Sequence, residues 1–393
     1  MEVLISGAGI AGPNLAWWLS QGGHRVTMLE KAPEPRRSGY IIDFWGKGYD
    51  LAERMGLMPR LQQVGYHVEQ VRFLGKGGKE TGGFAAQVFT RATGGRYISL
   101  PRGELSLALY ESVADRAEVL LGTEIEKFEQ DAGGVDVRLT NGSERRFDLV
   151  VGAEGIHSRT RDLAFGPKER FERFLGYTFA AFTAETYGRR AVDTYVMYGE
   201  PGRQAARFAL RDGASLVLLI WRDDEREPIP HGDEVAKRAL LRERYSGAGW
   251  EVPDFLAALD TADDLYIDRV SQIRMDSWHK GPVALVGDAA YAPSFLAGQG
   301  AALAMIGGYV LAGELKRSGG ALEPALAAYE QRLAPFMRSK QDAALGLASS
   351  FVPRTEFGLK ARDIATRLLG IGWIADLLVG RSLRDQVELP DYF

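Results

Sequence analysis

VLISGAGIAGPNLAWWLSQGGHRVTMLE, residues 3–30, is the stretch of the chain that says most about its fold. It opens on a short apolar run, which predicts a β-strand, and it closes on a second such run that ends at Glu30. Between them lies a segment with helical spacing that stops at the glycine pair Gly22–Gly23. Three glycines separate the first strand from this helix and fit the pattern G-x-G-x-x-G: Gly7, Gly9 and Gly12.

These glycines and the acidic residue each have a physical task in a strand–turn–helix–strand unit. Gly7 permits a tight turn, Gly9 lets a pyrophosphate approach the backbone, and Gly12 lets the helix pack close to the strand. Amide groups at the start of the helix point at the phosphates, and Glu30 can accept hydrogen bonds from a ribose hydroxyl. The pattern predicts an adenine dinucleotide, either NAD or FAD. The predicted contacts are Gly7, Gly9, Ala11, Gly12, Glu30 and Lys31.

Composition and charge exclude several other classes of protein. The chain has 393 residues, enough for two or three structural units with a large core. Its 48 basic and 52 acidic residues give a net charge of -4, which does not favour nucleic-acid binding. It has no cysteine, so it has no disulfide, no thiolate nucleophile and no cysteine-ligated metal. The five histidines are scattered without metal-ligand spacing, so no metal site is predicted.

The N-terminus leads directly into the first strand, without a basic stretch followed by a long apolar run. This pattern does not predict a signal peptide. The apolar stretch at 368–380 is short and is interrupted by glycines, so no integral membrane segment is expected. We therefore predict a cytoplasmic protein with small-molecule partners, and we leave the oligomeric state open.

Four later segments bear on the choice between NAD and FAD. Residues 36–57 combine an arginine pair, a strand and a helix, and residues 100–113 form an amphipathic helix that begins at an arginine. Residues 147–166 contain a buried strand that ends in Gly-Ala-Glu-Gly and is followed by basic residues. Residues 281–315 contain the strand VALVGD, a loop with Gly-Gln-Gly, and a long helix rich in small residues.

Together with the N-terminal unit, this ordered set resembles the group A flavin-dependent monooxygenases, the para-hydroxybenzoate hydroxylase family, to which tetracycline-inactivating and polyketide-tailoring hydroxylases belong. The resemblance covers about residues 1–345 and implies that the dinucleotide is FAD. The implied fold is α/β: a Rossmann-type, glutathione-reductase-like FAD-binding domain with an inserted antiparallel-sheet substrate domain and C-terminal helices. The implied segments are FAD-binding parts at 1–75, 100–165 and 281–340, substrate-domain parts at 76–99 and 166–280, and a helical segment at 341–393.

The resemblance also implies roles for single residues. Asp43 lies where relatives place a residue beside the flavin, Arg102 matches an arginine that contacts FAD, and Asp288 matches the acid that binds the ribityl chain. The residues implied to lie along the isoalloxazine ring are Pro293, Gly298, Gln299 and Gly300. The positions associated with NAD(P)H are Arg36 and Glu154.

Two residues depart from the family pattern. Glu154 stands where the family usually has aspartate, and Tyr291 stands where histidine is frequent. Glutamate has the same carboxylate group as aspartate, on a side chain that is one methylene longer. The choice between NADPH and NADH therefore stays open. No proton-handling role is assigned to Tyr291.

The chemistry implied by the resemblance needs no catalytic side chain beyond the flavin, because the cofactor carries the difficult step. NADPH or NADH delivers hydride, dioxygen adds at flavin C4a, and one oxygen atom passes to an aromatic or polycyclic small molecule. The helix after Gly300 is expected to direct its positive end at the reduced flavin. Three alternatives stay open: Baeyer–Villiger insertion, a flavin dehydrogenase or reductase, and a non-catalytic binding protein on the same fold.

Strand patterns with short turns fill much of residues 166–280, so an antiparallel sheet is expected over the flavin. The candidate residues of its substrate pocket are Phe182, Tyr198 and Arg207. Arg207 and Arg211 share one face of a strand by alternation, so one of them could meet a phenolate or carboxylate. The tail from about residue 341 predicts one or two helices that could cover the substrate cleft.

Overall fold

The computed structural model describes residues 1–35, 39–131, 133–185, 191–230, 232–368 and 387–393, and it gives only the backbone for 347–350. The strands in these residues are β1 (Glu2–Ser6), β2 (Arg25–Glu30), β3 (Ile41–Trp45), β4 (Gln70–Leu74), β5 (Glu80–Ala85), β6 (Tyr97–Pro101), β7 (Glu118–Leu121), β8 (Ile125–Asp131), β9 (Gly134–Leu139), β10 (Glu144–Phe147), β11 (Leu149–Gly152), β12 (Glu172–Ala184), β13 (Thr194–Glu200), β14 (Arg203–Ala209), β15 (Ser215–Arg222), β16 (Tyr266–Ile273), β17 (His279–Lys280) and β18 (Val283–Leu285).

The helices in the same residues are α1 (Ala11–Gln21), α2 (Gly46–Arg54), α3 (Met58–Val64), α4 (Gln87–Ala92), α5 (Arg102–Glu111), α6 (Arg159–Phe165), α7 (Glu234–Arg244), α8 (Val252–Ala258), α9 (Asp288–Tyr291), α10 (Gly300–Arg317), α11 (Leu322–Phe351) and α12 (Glu356–Leu368). None of the helices in the described part of the chain has the length and apolar character needed to span a membrane.

A six-stranded sheet in the order β17-β18-β11-β1-β2-β7 forms the first layer. Its strands run parallel, except that β17 is antiparallel to β18. Ile5 on β1 pairs with Met28 on one side and with Val151 on the other, so three separate parts of the chain meet at its centre. This topology confirms the predicted Rossmann-type sheet, since strands joined by a helix pair in parallel.

A seven-stranded sheet in the order β16-β12-β15-β14-β13-β4-β5 forms the second unit. Its pairs are antiparallel, as predicted, except that β4 runs parallel to β13. The exception arises because β4 and β5 come from a hairpin far earlier in the chain than the other strands, and the hairpin adds to the sheet edge. The glycine-rich stretch at 75–79 forms the turn of this hairpin.

The two faces of this seven-stranded sheet have different neighbours. Side chains such as Val196 on β13 and Leu219 on β15 are buried under α7 and α8, and we call this the outer face. Their sequence neighbours Met197 and Leu218 point the other way and remain partly accessible, although both strands lie inside the sheet. Since side chains alternate along a strand, the inner face borders an open space. We call this space the chamber.

The two-stranded ribbon of β3 and β6 lies opposite the inner face. Phe44 and Leu100 on this ribbon pack into the core of the first unit. Ile41, on the opposite side of the ribbon, packs against Phe208 and Tyr195 of the seven-stranded sheet. The ribbon therefore forms the wall that separates the core of the first unit from the chamber.

Helices α1 and α10 pack closely because α10 has glycine at the contact. A Cβ atom on Gly308 would lie 2.3 Å from Nδ2 of Asn14 and 3.2 Å from the backbone nitrogen of Leu15. Asn14 is fully buried; its Nδ2 donates to the carbonyl of Met305 at 3.0 Å, and its Oδ1 accepts from Trp18 Nε1 at 3.2 Å. The missing side chain at Gly308 thus lets a buried amide join the two helices.

Replacing Gly308 with alanine should destabilise the protein by about 1–3 kcal/mol, because the new methyl group displaces Asn14 and the backbone of α1 leaves no room. Gly346→Ala in α11 is the matched control, since nothing lies within 4 Å of a Cβ there. The control should be neutral or up to about 1 kcal/mol more stable through helix propensity. Thermal and urea unfolding measure both variants, and equal effects at the two positions would contradict this account of the contact.

Candidate functional site

The turn between β1 and α1 is fixed by two of its three glycines. The Gly7 amide donates to the carbonyl of Leu29 at 2.8 Å, and Gly7 has a φ of +106°, which favours glycine. A Cβ atom on Gly12 would lie 1.9 Å from the Gly7 carbonyl oxygen. By contrast, a Cβ atom on Gly9 would have no protein atom within 4 Å. Gly7 and Gly12 therefore serve the packing of the protein, and Gly9 borders open space.

Glu30 is held beside this turn by backbone amides. Its Oε2 accepts from the amide of Ala8 at 3.0 Å, and its Oε1 accepts from the amide of Ala32 at 3.0 Å. Each carboxylate oxygen keeps further lone pairs for a ligand hydroxyl. Lys31 follows with an exposed side chain. The carboxylate that the sequence assigns to a ribose therefore has a fixed orientation next to the open space at Gly9.

The Gly-Asp segment after β18 meets the start of α1. Gly287 has a φ of +68°, and a Cβ atom there would lie 3.0 Å from the Cβ of Ala11. Asp288 follows directly, and a Cβ on Gly300, the first residue of α10, would be 3.6 Å from its Oδ1. The N-terminal ends of α1 and α10 and one acidic side chain therefore come together from two distant parts of the sequence.

Asp288 and Arg102 carry opposite charges within one pocket without touching. Burial raises the pKa of the Asp288 carboxyl group, and the positive charge of Arg102 partly offsets this rise. Both residues are partly accessible. Among the described residues, none forms a hydrogen bond with the Asp288 carboxylate or with the Arg102 guanidinium. The backbone amide of Arg102 donates to the carbonyl of Tyr40 at 3.0 Å. Both side chains therefore keep their hydrogen-bonding capacity for a polar ligand between them.

These features together fit an extended FAD molecule. The open space at Gly9 and the amides of α1 suit a pyrophosphate, and Glu30 suits the ribose of its adenosine half. Asp288 and Arg102 supply an acceptor and donors for a polyhydroxyl chain. The start of α10 has no acidic residue in its first turn, so its partial positive charge is available to an anionic ring system.

The loop before α10 is built as the sequence suggests. The carbonyl of buried Pro293 accepts from Nε2 of Gln272 at 2.9 Å, which ties the loop to β16. Gly298 adopts a left-handed conformation with a φ of +63°, and Gln299 is the N-cap of α10. Direct contact of these residues and Gly300 with a flavin ring stays a prediction.

The carboxylate of Glu154 accepts hydrogen bonds from residues of the loop that follows it. Its Oε1 accepts from the amide of Thr160 at 3.0 Å and from the Thr160 hydroxyl, and its Oε2 accepts from the hydroxyl of Ser158. These bonds hold the chain at the start of α6. The association of Glu154 with NAD(P)H stays a prediction, and Arg36, the other residue of that pair, lies outside the described residues.

Arg161 is a structural link that reading the sequence missed. Its side chain is fully buried, and it donates to the carbonyl oxygens of Ile156 at 2.9 Å and Ala289 at 3.1 Å. It therefore joins the loop after β11 to α9, which begins with Asp288. The only signal in the sequence was a basic run after Glu154, from which this arginine could not be singled out.

Tyr291 belongs to the core. Burial raises its pKa to about 12, and Tyr329 Oη donates to its hydroxyl at 3.3 Å. A Cβ atom on Gly307 of α10 would lie 1.8 Å from Tyr291 Oη, so the ring occupies space that this glycine leaves. The departure from histidine at this position therefore serves packing beneath α10.

Aromatic rings connect the loop before α10 to the chamber. Phe295 stacks on Phe179 of β12 with ring centroids 4.1 Å apart, and it meets Tyr40 edge-on at 4.8 Å. Nearby, Asp268 Oδ2 accepts from Tyr266 Oη at 2.6 Å and pairs with His157 Nε2 at 2.8 Å. Burial tends to raise the pKa of Asp268, but the bonds to His157 and Tyr266 lower it overall. No pattern in the sequence predicted this cluster.

The structure corrects the three predicted pocket residues. Phe182 and Tyr198 pack on the outer face with side chains of α7 and α8. Arg207 forms an ion pair with Glu251 next to α8, and Arg211 lies beyond β14 and donates to the carbonyls of Gln63 and Gly65. The prediction that Arg207 and Arg211 share one face of a strand is wrong, because β14 ends at Ala209. Which face of the sheet meets the chamber depends on tertiary packing.

The predicted neighbour of the flavin, Asp43, is surrounded by hydroxyl groups. Its Oδ1 accepts from Tyr97 Oη at 2.7 Å, from Ser99 Oγ at 2.5 Å and from Tyr195 Oη at 3.2 Å. Tyr97 and Ser99 belong to β6, and Tyr195 belongs to the inner face of the seven-stranded sheet. Contact of Asp43 with FAD itself stays a prediction.

A family model described as "FAD binding domain" matches residues 1–344. The chain belongs to this FAD-binding family. It is 35% identical over 343 residues to the uncharacterized protein Rv1260 of Mycobacterium tuberculosis, covering 86% of this chain and 91% of that protein. It is also similar to the FAD-dependent monooxygenase asL4 of Sarocladium schorii, with 29% identity over 100% of this chain and 98% of that protein.

The solved structures include the tetracycline destructase Tet(51), with a TM-score of 0.83 and 28% identity over 100% of this chain and 99% of that chain. These similarities confirm the fold class, with a Rossmann-type FAD-binding unit, a second sheet and C-terminal helices. They also confirm that the chain is a flavoenzyme of the monooxygenase class that uses FAD as its cofactor.

Gly9→Val should abolish most FAD binding without harming the apoprotein. The new side chain enters space that a pyrophosphate would occupy, but its Cβ meets no protein atom within 4 Å. We expect FAD affinity to fall by about tenfold or more, equivalent to at least about 1.4 kcal/mol. Gly12→Ala is the contrasting variant, because its Cβ collides with the Gly7 carbonyl and should lower the stability of the apoprotein itself. Flavin titration and thermal unfolding separate the two effects, and unchanged FAD affinity in Gly9→Val would contradict the assignment.

Asp288→Asn should weaken FAD binding while stabilising the apoprotein at neutral pH. Since burial raises the pKa of Asp288, the folded protein holds this proton more tightly than the unfolded chain. Its ionisation therefore costs stability as the pH rises above the unfolded value of about 3.9, and the asparagine variant escapes this cost. The stability gain should grow from pH 4 to pH 8. Asp342→Asn, at an exposed ion pair with Arg274, is the control and should change neither property.

Proposed function

We propose that this flavoenzyme transfers one oxygen atom from dioxygen to an aromatic or polycyclic small molecule, with NADPH or NADH as the transient reductant. The observation that carries the proposal is the chamber between the seven-stranded sheet and the β3–β6 ribbon. The inner face of the sheet reaches Phe295 through Phe179, and Phe295 lies in the loop that leads from Asp288 to α10. A substrate in the chamber would therefore lie next to the ring end of an FAD molecule bound along Glu30, Arg102 and Asp288.

The side chains that face the chamber support an aromatic substrate. The inner face contributes apolar side chains, among them Ala206, Leu216 and Leu218, and the rings of Tyr40, Phe179 and Phe295 lie at its border. Pockets lined by apolar and aromatic groups with few polar groups suit flat organic ligands. The similar structure that is named a tetracycline destructase supports a polycyclic compound as one possible class.

When bound, the flavin supplies hydride acceptance and oxygen activation. The residues of this chain supply position, charge and exclusion of water. Asp288 and Arg102 would hold the ribityl chain, and the start of α10 would stabilise negative charge on the ring system by about 0.3–1 kcal/mol or more when partly buried. The packed rings around Phe295 would limit water at the border of the chamber.

The reductant and its binding residues are part of the proposal. Arg36 and Glu154 are the residues of this chain that match positions associated with NAD(P)H. Neither residue distinguishes NADPH from NADH. A cytoplasmic location is likewise proposed from the sequence. Hydroxylation is favoured over Baeyer–Villiger insertion only as the simplest oxygen transfer, and the product decides between them.

The purified protein should show absorbance bands near ~370 and ~450 nm from bound oxidised flavin. It should oxidise NADPH or NADH faster when phenolic or polycyclic compounds are added, and it should incorporate one atom of labelled dioxygen into the product. A lactone would indicate Baeyer–Villiger insertion, and oxidation without labelled product would indicate a dehydrogenase or reductase. A colourless protein that does not bind added FAD would refute the proposal and would favour the alternative of a non-catalytic binding protein.

A further inference from the structure

Residues 387–393, which read Val-Glu-Leu-Pro-Asp-Tyr-Phe, lie across three helices of the first unit, and we call them the strap. The strap forms no helix or strand of its own. Val387 is buried in the core of the first unit, whereas Glu388 and Asp391 are exposed. A segment without secondary structure whose side chains fill pockets on other elements is held in the way that a groove holds a short peptide.

Three side chains from α2 and α10 hold the backbone of the strap. Tyr309 Oη donates to the carbonyl of Pro390 at 2.6 Å and accepts from the amide of Tyr392 at 3.2 Å. Lys316 Nζ donates to the carbonyl of Tyr392 at 2.7 Å. Arg54 of α2 donates to Tyr309 Oη at 2.9 Å, so it holds that hydroxyl in place. These bonds fix the position of the strap along α10.

The ring of Phe393 lies between groups from three helices. Its centroid is 5.1 Å from the ring of Trp18 on α1 and 5.9 Å from the ring of Tyr309 on α10. Lys316 Nζ lies 4.6 Å from the same centroid, within the range of a cation–π interaction. Arg54 donates to the backbone oxygen of Phe393 at 3.2 Å. Phe393 therefore contacts α1, α2 and α10 together.

Tyr392 occupies space that a glycine of α10 leaves open. A Cβ atom on Gly313 would lie 2.1 Å from the ring of Tyr392. The Tyr392 hydroxyl donates to Oε1 of the buried Glu314 at 2.5 Å. Burial and this hydrogen bond raise the pKa of the Tyr392 hydroxyl, so it keeps its proton at neutral pH. The groove is therefore shaped for an aromatic ring that carries a hydroxyl group.

The helices under the strap are the ones whose first turns border the cofactor groove, α1 and α10. Hydrogen bonds connect the two regions inside the protein. Trp18, which contacts Phe393, donates from Nε1 to Asn14 Oδ1 at 3.2 Å, one turn closer to the start of α1. Asn14 Nδ2 in turn donates to the carbonyl of Met305 at 3.0 Å, in the first half of α10. The strap therefore acts on the same helix pair that FAD needs in a fixed arrangement.

FAD and the strap can influence each other without contact. Gly313 follows Gly300, the first residue of α10, by 13 residues, which corresponds to about 20 Å at the usual rise of a helix. A ligand that holds two elements in one arrangement favours a second ligand that needs the same arrangement. Such coupling is reciprocal, because each ligand changes the affinity for the other by the same factor.

We propose that α1, α2 and α10 form a peptide-binding groove around Trp18, Tyr309 and Gly313, and that occupation of this groove by the strap strengthens FAD binding. The groove takes a short peptide with the order Pro-Asp-Tyr-Phe, and residues 387–393 are its occupant. The site is separate from the chamber, so the inference concerns retention of the cofactor and goes beyond the proposed oxygen transfer.

Gly313→Ala tests the proposal with a single methyl group. The three atoms nearest to the new Cβ all belong to Tyr392, so the methyl group displaces the strap, and alanine favours the helix more than glycine does. We expect the dissociation constant of FAD to rise by about fivefold or more, as is typical of coupled sites. Titration of the apoprotein with FAD measures it. Gly346→Ala is the matched control and should leave this constant unchanged, since nothing lies within 4 Å of its Cβ.

Removal of residues 387–393 tests the groove from the other side. The shortened protein should bind FAD less tightly by about fivefold or more, and Gly313→Ala should then have no further effect, because Tyr392 is absent. A synthetic peptide with the sequence of residues 387–393 should bind the shortened protein and restore its FAD affinity. Calorimetry should show tighter peptide binding with FAD than without it, by the factor by which the peptide tightens FAD. The peptide with alanine at Tyr392 and Phe393 is the control and should do neither.

Three results would overturn the proposal. One is an unchanged FAD affinity in Gly313→Ala, and another is an effect of Gly313→Ala that persists in the shortened protein, which would place it in α10 itself. The third is a peptide that does not bind the folded shortened protein, or that binds equally tightly with and without FAD. If the shortened protein does not fold, the comparison of Gly313→Ala with Gly346→Ala decides. None of these measurements uses a substrate or NAD(P)H, so they are independent of the proposed oxygen transfer.

Discussion

The close approach of three backbone segments is the constraint on which the rest of this structure depends. Gly7 lies against the backbone of Ala153, the carbonyl of Gly7 lies against Gly12, and Gly287 lies against Ala11. A side chain at these glycines would separate β1, β11 and the segment after β18. Because they meet, the start of α1 and the acidic residue Asp288 lie together at one edge of the parallel sheet, where they border the cofactor groove.

Charge within this groove is arranged for a ligand at the expense of the apoprotein. Asp288 and Arg102 are too far apart to form an ion pair. Outside the groove, on the ribbon of β3 and β6, Asp43 leaves one carboxylate oxygen without a hydrogen-bond partner in the described chain. Burial raises the pKa of both carboxyl groups, so each destabilises the folded protein when ionised. Such perturbed groups are typical of functional sites. By contrast, Glu30, Glu154 and Arg161 each form hydrogen bonds to the protein backbone that fix the geometry of their loops.

The seven-stranded sheet separates structural from functional side chains by the pleat of its strands. On β13, Tyr198 supports the helical layer, and Tyr195, three residues earlier, reaches Asp43. The ribbon of β3 and β6 repeats this division, with Phe44 in the core and Asp43 at the chamber. A one-residue change in register would exchange the two sets, so the sheet needs both the helices on one side and the ribbon on the other.

The sequence by itself determined the strand–turn–helix–strand unit and the ordered motifs that resemble a flavin-binding fold. Those features depend on local geometry: glycine spacing, strand length and the residue that ends each strand. Only the tertiary structure decided which face of the substrate sheet meets the chamber, why Tyr291 is a core residue, and that Asp43 joins Tyr97, Ser99 and Tyr195. The physical reason is that alternation defines two faces of a strand but not their neighbours, and those neighbours come from segments more than 50 residues apart along the chain.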